Sequence, residues 1–120
     1  MAKILIVDDS PTQMANMTKI VESHGHQTVS ASNGLEGVEK AKAEKPDLIL
    51  MDVVMPELNG FQATRKITKD PETQNIPVIL VTTKDQTTDK VWGERQGAKG
   101  YLVKPVQEKE LIAKINELLG

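Results

Sequence analysis

Short apolar runs of strand length recur five times in this chain, separated by segments of helical period, and that alternation constrains the fold more than any other feature. The runs are Ile4-Leu5-Ile6-Val7, a weaker one at Gln27–Ala31, Leu48-Ile49-Leu50-Met51, Pro77-Val78-Ile79-Leu80-Val81 and Tyr101-Leu102-Val103. A strand that is apolar at nearly every position is buried on both faces, which requires a parallel sheet covered by helices on each side. Crossovers in such a sheet are right-handed. Five β/α units in 120 residues suit an open, doubly wound three-layer sandwich. They are too few for an eight-fold barrel, which needs about 250 residues.

The punctuation between the runs agrees with helices. Ser10 reads as an N-cap, Pro11 as the first helical residue and Gln13 as the closing member of a capping box. Met14, Met17, Ile20 and Val21 then recur at helical spacing, and Gly25 ends the helix. Asn33-Gly34 opens a second helix that Pro46 stops. A third runs from about Gly60 to Thr68, a polar fourth from about Asp85 to Gln96, and a fifth from Glu108 to Leu119. There is no internal repeat, low-complexity stretch or linker, so residues 1–120 are expected to form a single domain.

Composition narrows the function classes. Fifteen Lys and Arg against 17 Asp and Glu give a formal charge of −2, which does not fit a basic nucleic-acid-binding surface. The chain has no cysteine, excluding disulfides and thiolate metal sites and fitting a reducing compartment. Its apolar runs are too short for a signal-peptide core or a membrane span. A cytoplasmic domain that binds neither nucleic acid nor membrane is expected.

In open parallel sheets, ligands bind at the carboxyl ends of the strands. Those ends carry Asp8-Asp9-Ser10, Asp52, Thr82-Thr83-Lys84 and Lys104-Pro105. Each motif alone has a bland reading: an Asp pair caps helices, a single Asp after a strand is a turn residue, and Lys-Pro means little. All four at strand ends in one chain are poorly explained by coincidence. Three converging carboxylates resist ionisation unless a cation compensates, and Lys104 supplies one positive charge against three negative. Oxygen-only ligands favour a hard divalent ion, Mg²⁺ first.

Other conspicuous residues read as structural. Met14, Met17 and Met51 fit core spacing. His24 and His26 flank Gly25 and read as a solvated turn. Trp92, on the polar fourth helix, is either a partly buried packing residue or an exposed binding residue.

Val7-Asp8-Asp9-Ser10, Leu50-Met51-Asp52-Val53-Val54-Met55-Pro56, Leu58-Asn59-Gly60, Val81-Thr82-Thr83 and Val103-Lys104-Pro105 resemble, in order and over the whole chain, the receiver domain of two-component response regulators (CheY-like). Gly60-Phe61-Gln62-Ala63-Thr64-Arg65 and Lys90–Ala98 look like the stand-alone receivers of type IV pilus twitching-motility systems, the PilH type. The resemblance implies a flavodoxin-like (βα)5 fold with strand order 2-1-3-4-5. It implies that Asp52 is the phosphoacceptor, taking a phosphoryl group from a histidine kinase of chemotaxis type. It further implies Mg²⁺ bound by Asp9, Asp52 and the Val54 main-chain carbonyl, with Asp8 acting directly or through water. Lys104 would pair with the phosphoryl group, Thr82 would donate its hydroxyl to it, and Tyr101 would be the aromatic switch that turns inward. The peptide before Pro105 is usually cis in this family.

The chain departs from commoner receivers at Val54, Lys84 and Val106. The first two flank the path of attacking water, which leaves the lifetime of the phosphoryl group open. A flavin-binding protein of the same architecture would need a Ser/Thr/Gly-rich phosphate loop after the first strand, where Asp8-Asp9 would repel an anion. An aspartyl phosphatase would want nucleophile and acid two residues apart, a spacing Asp8-Asp9-Ser10-Pro11 lacks. No classical enzymatic activity is expected beyond self-phosphorylation and hydrolysis. The sequence ends at Gly120 directly after the fifth helix, so the expected output is a surface change read by a motility protein, or a role as phosphate sink. A monomer is expected.

Overall fold

A computed structural model describes residues Met1–Gly120. It has five strands, β1 (Lys3–Val7), β2 (Gln27–Ala31), β3 (Leu48–Met51), β4 (Val78–Thr82) and β5 (Gly100–Val103). They alternate with five helices, α1 (Pro11–Ser23), α2 (Gly34–Glu44), α3 (Gly60–Lys69), α4 (Thr87–Arg95) and α5 (Glu108–Leu119). All pairings are parallel and the order is β2-β1-β3-β4-β5, as expected.

Two-residue periodicity divides the strands between two cores. Ile4, Ile6, Leu48, Leu50, Ile79 and Val81 face one side, where they meet Met17 and Val21 of α1 and Leu111 and Ile115 of α5. Leu5, Val7, Ile49, Met51, Val78 and Leu80 face the other, against Ala41 of α2 and Phe61, Ala63 and Ile67 of α3. Both sides of β1, β3 and β4 are dry, which accounts for their unbroken aliphatic composition. The edge strands β2 and β5 are less buried, and β2 is the least apolar in sequence.

Local details correct several expectations. Ser10 caps α1 by accepting the Gln13 N–H, but the reciprocal half of the capping box is absent: the Ser10 N–H donates to Asp8 Oδ1 at 2.9 Å. β4 extends one residue further than the apolar run, so Thr82 lies in the strand. α4 begins at Thr87 rather than Asp85, because Gln86 sits at its N-cap with its N–H donating to Asp89 Oδ2 at 3.3 Å. Of the two readings of Trp92, the structure has the exposed one: Trp92 is 50% exposed, and the neighbouring Val91 44%. The helix instead approaches the sheet through buried Gly93, which lies over Leu80 and the Tyr101 ring. Gly25 does end α1, with φ of +88°. The flanking histidines do lie at an exposed turn, and each also makes a tie the sequence did not show: His24 Nε2 lies 2.9 Å from Glu108 Oε2, and His26 Nδ1 accepts the Ala2 N–H at 3.1 Å.

Candidate functional site

The sheet delivers the chemical residues to one edge. Pairing continues past the last strand residues, β1 with β2 and β3 with β1: the Asp8 N–H donates to Ala31 O at 3.1 Å and the Asp52 N–H to Val7 O at 2.9 Å. These bonds fix Asp8 and Asp52 side by side, and both are nearly buried, at 4% and 7% exposure. Asp9, one residue further, is exposed. One carboxylate oxygen from each of Asp8, Asp9 and Asp52 falls within 4.8 Å of the others.

Lys104 enters from the end of β5, after which the Lys104–Pro105 peptide is cis. Its Nζ lies 2.9 Å from Asp8 Oδ2 and 3.6 Å from Asp52 Oδ1. Asp52 Oδ1 also accepts the Val53 N–H at 2.9 Å. Burial, followed by the charge of Asp8, pushes the Asp52 carboxyl above its usual range, and Lys104 and the Val53 N–H only partly offset this. Two buried carboxylates beside one ammonium leave a net negative hole.

Thr82 is fully buried, and its Oγ1 accepts the Lys84 N–H at 3.2 Å, leaving its own proton available. The Tyr101 hydroxyl donates to Lys84 O at 2.8 Å. The two sides of the Lys84 residue therefore hold Thr82 and Tyr101 together. Burial, with Asp89 and Asp85 adding negative charge, pushes the Tyr101 phenol up to about 12. Val54 follows the acidic cluster with its side chain 56% exposed.

Asp8, Asp9, Asp52, Thr82 and Lys104 thus stand at the carboxyl ends of their strands, while Tyr101 lies within β5 and joins them only through its hydroxyl on Lys84 O. Sequence reasoning missed the backbone participants: the Ser10 N–H on Asp8, the Val53 N–H on Asp52, and Lys84 between Thr82 and Tyr101. A main-chain group leaves no signal in residue type. The donor set is oxygen only, and opposite ligands of a Mg²⁺ ion lie about 4.2 Å apart, so the three carboxylates fit a hard divalent cation. The α1 terminus is poorly suited to cradle a phosphate, with Asp8 already held against it. Its Ser10 and Gln13 N–H groups are already engaged by Asp8 Oδ1 and Ser10 Oγ.

A doubly wound parallel sheet thus carries an acidic pocket, a lysine and a buried hydroxyl at its carboxyl edge. The model of the response regulator receiver domain family matches residues 4–116, and the chain belongs to that family. It is similar to Protein PilH of Pseudomonas aeruginosa, with 65% identity over 120 residues covering 100% of this chain and 99% of that one. Among solved structures, the chemotaxis protein CheY4 of Vibrio cholerae superposes with a TM-score of 0.93 at 30% identity, covering 99% of both chains. The receiver domain of a Pseudomonas aeruginosa sensor histidine kinase superposes with a TM-score of 0.92 at 28% identity, covering 99% of this chain and 98% of that one; it holds a magnesium ion in its active site cleft. No helix here is long and apolar enough to cross a membrane.

Proposed function

We propose that this receiver, a single domain over residues 1–120, accepts a phosphoryl group on Asp52 from a histidine kinase of chemotaxis type and signals by a conformational change in type IV pilus twitching motility. The observation that carries the reading is the convergence of Asp8, Asp9 and Asp52 on Lys104 at the strand ends. The finer assignment to pilus motility leans on the likeness to Protein PilH. A cytoplasmic monomer fits this role.

The Asp52 carboxylate attacks phosphorus, the Asp52 O–P bond forms as the P–N bond to the donor histidine breaks, and the leaving electron pair returns to the imidazole. Asp9, Asp52 and the Val54 carbonyl would hold Mg²⁺, with Asp8 beside it directly or through water. When bound, the ion supplies positive charge to the phosphoryl oxygens. Lys104 balances charge on the transferred group, and Thr82 donates its free hydroxyl proton to it. Drawing Thr82 toward that group releases Lys84, and with it the carbonyl that holds Tyr101 outward.

Incubation with acetyl phosphate and Mg²⁺ followed by intact mass measurement tests the assignment. The wild-type chain should gain one phosphoryl group and Asp52→Asn none. A full shift in the variant would place the acceptor elsewhere.

A further inference from the structure

Away from the phosphoacceptor edge, α3 presents a face that the receiver chemistry does not use. Gln62, Arg65, Lys66 and Lys69 are all exposed and recur at helical spacing, forming a stripe about 10 Å long. The helix has three cations and no Asp or Glu. None of the three makes an ion pair, whereas the neighbouring Lys42 and Lys45 of the α2 end are neutralised by Asp70 and Glu72. Placement near a helix C-terminus accounts for Lys66 and Lys69 through the helix dipole; Arg65 Nη1 reaches Gln96 Oε1 at 3.5 Å, a long contact to a neutral amide that leaves its charge unneutralised.

The stripe continues into a hollow of mixed lining, aliphatic at Leu58 and Leu35. A depression of about 350 Å³ lies along Leu58, Gln62, Arg65, Lys66 and Lys69. A second, of about 490 Å³, shares Leu58 and Lys66 and extends to Leu35 and Pro56. Leu35 is 58% exposed, so a large aliphatic side chain faces water at the far end of the groove. Glu57 lines that same end.

We propose that this α2–α3 groove docks an acidic segment of a protein partner, with one aliphatic side chain seated over Leu35, Pro56 and Leu58 and its carboxylates running along Arg65, Lys66 and Lys69. Glu57 repels acids at the Leu35 end and so sets the direction, acidic residues toward Lys69. A membrane or nucleic-acid surface fits less well. Stable polybasic attraction uses four to eight cations, while three stand here beside a depression of mixed lining in a chain of net charge −2. The groove also adjoins the signalling site, because Gly60 at the start of α3 packs on the backbone of Asp52 and Val53.

The probe is a synthetic twelve-residue peptide carrying one leucine followed by four glutamates, titrated into the unphosphorylated ¹⁵N-labelled chain. Amide shifts should concentrate on Leu35, Leu58 and Gln62–Lys69. Arg65→Glu with Lys66→Glu should weaken the dissociation constant at least tenfold, and Leu35→Ser should weaken it several-fold. Lys109→Glu, on exposed α5, should leave it unchanged. Acetyl phosphate labelling of each variant should match wild type, which separates failure here from failure of the Asp52 reading. Shifts centred on another face, or affinity indifferent to the charge reversals, would overturn the proposal. So would Arg65- and Lys66-dependent binding to phosphatidylserine vesicles or duplex DNA without binding of the peptide.

Discussion

Lys104 is committed to Asp8 more closely than to Asp52, with Nζ–O distances of 2.9 and 3.6 Å. The lysine therefore stabilises the resting site chiefly by neutralising a carboxylate that is 4% exposed. Removing one partner of a buried pair leaves an uncompensated charge and costs about 3–5 kcal/mol. We expect Lys104→Met to lower unfolding free energy by about 3 kcal/mol in Mg²⁺-free urea titrations. Millimolar Mg²⁺ should recover part of the loss, since Asp8 and Asp52 keep their oxygens. A loss of about 1 kcal/mol or less, the scale of an exposed pair, would show that Asp8 does not depend on Lys104.

Asp52 has the opposite stability sign. Burial and Asp8 raise its carboxyl above the ordinary range, so the folded chain holds this proton more tightly than the unfolded chain. Stability from that proton is present below the ordinary carboxylate range and is lost as pH rises through the raised folded value. Asp52→Asn removes the charge and leaves Lys104 its closer partner, Asp8. The variant should melt a few degrees above wild type at pH 7 without metal. The gap should close as pH falls toward 4 or as Mg²⁺ is added. An equal or lower melting temperature at pH 7 would mean that Asp52 is not strained by its surroundings.

The strands and the site edge were legible because burial on both faces leaves no place for a polar residue until the strand ends. Asp8, Asp52 and Lys104 each stand at the first position where the sheet releases the chain. What was not legible depends on partners distant in sequence or on main-chain groups. His24 meets Glu108 across 84 positions, and His26 meets Ala2 across 24; neither pairing has a local signature. The Gln13 box failed because Asp8, two residues upstream of Ser10, took the Ser10 N–H first. α4 was legible as a polar helix, but not how it meets the sheet: a glycine lets its backbone approach Leu80 and Tyr101 directly, so the helix needs no apolar stripe.

Tyr101 is the only tyrosine, which makes its ionisation directly observable. With the phenol pushed up to about 12 from an ordinary 10, the absorbance change near 295 nm should be centred close to 12 in the folded chain. The neutral phenol's contribution to stability is present below pH 10 and is lost as pH rises toward 12. Tyr101→Phe removes the donor to Lys84 O and should cost about 1 kcal/mol. A titration centred at 10 would mean that the ring is already free of Lys84 and the Asp85–Asp89 segment.

Alanine at two glycines should separate a rigid contact from a yielding one. A Cβ at Gly60 would overlap Asp52 O and approach Val53 Cα at 2.7 Å. Both are backbone atoms of the segment that carries the phosphoacceptor and cannot swing aside. Gly60→Ala should therefore cost about 3 kcal/mol, at the upper end for overpacking, and should reduce phosphoryl labelling by shifting Asp52. A Cβ at Gly93 would meet Leu80 Cδ1 at 2.7 Å and Tyr101 Cδ2 at 3.3 Å. These are side-chain atoms, and Leu80 can rotate. Alanine also gains about 1 kcal/mol of helix propensity over glycine, so clash and propensity should nearly cancel for Gly93→Ala. Its effect should appear as displacement rather than unfolding: α4 lifts from β5, the Tyr101–Lys84 hydrogen bond weakens, and the Tyr101 titration moves down toward 10 at almost unchanged stability. A stability loss as large as that of Gly60→Ala, with the Tyr101 titration unmoved, would show that α4 is clamped to the sheet instead of resting on it through one small residue.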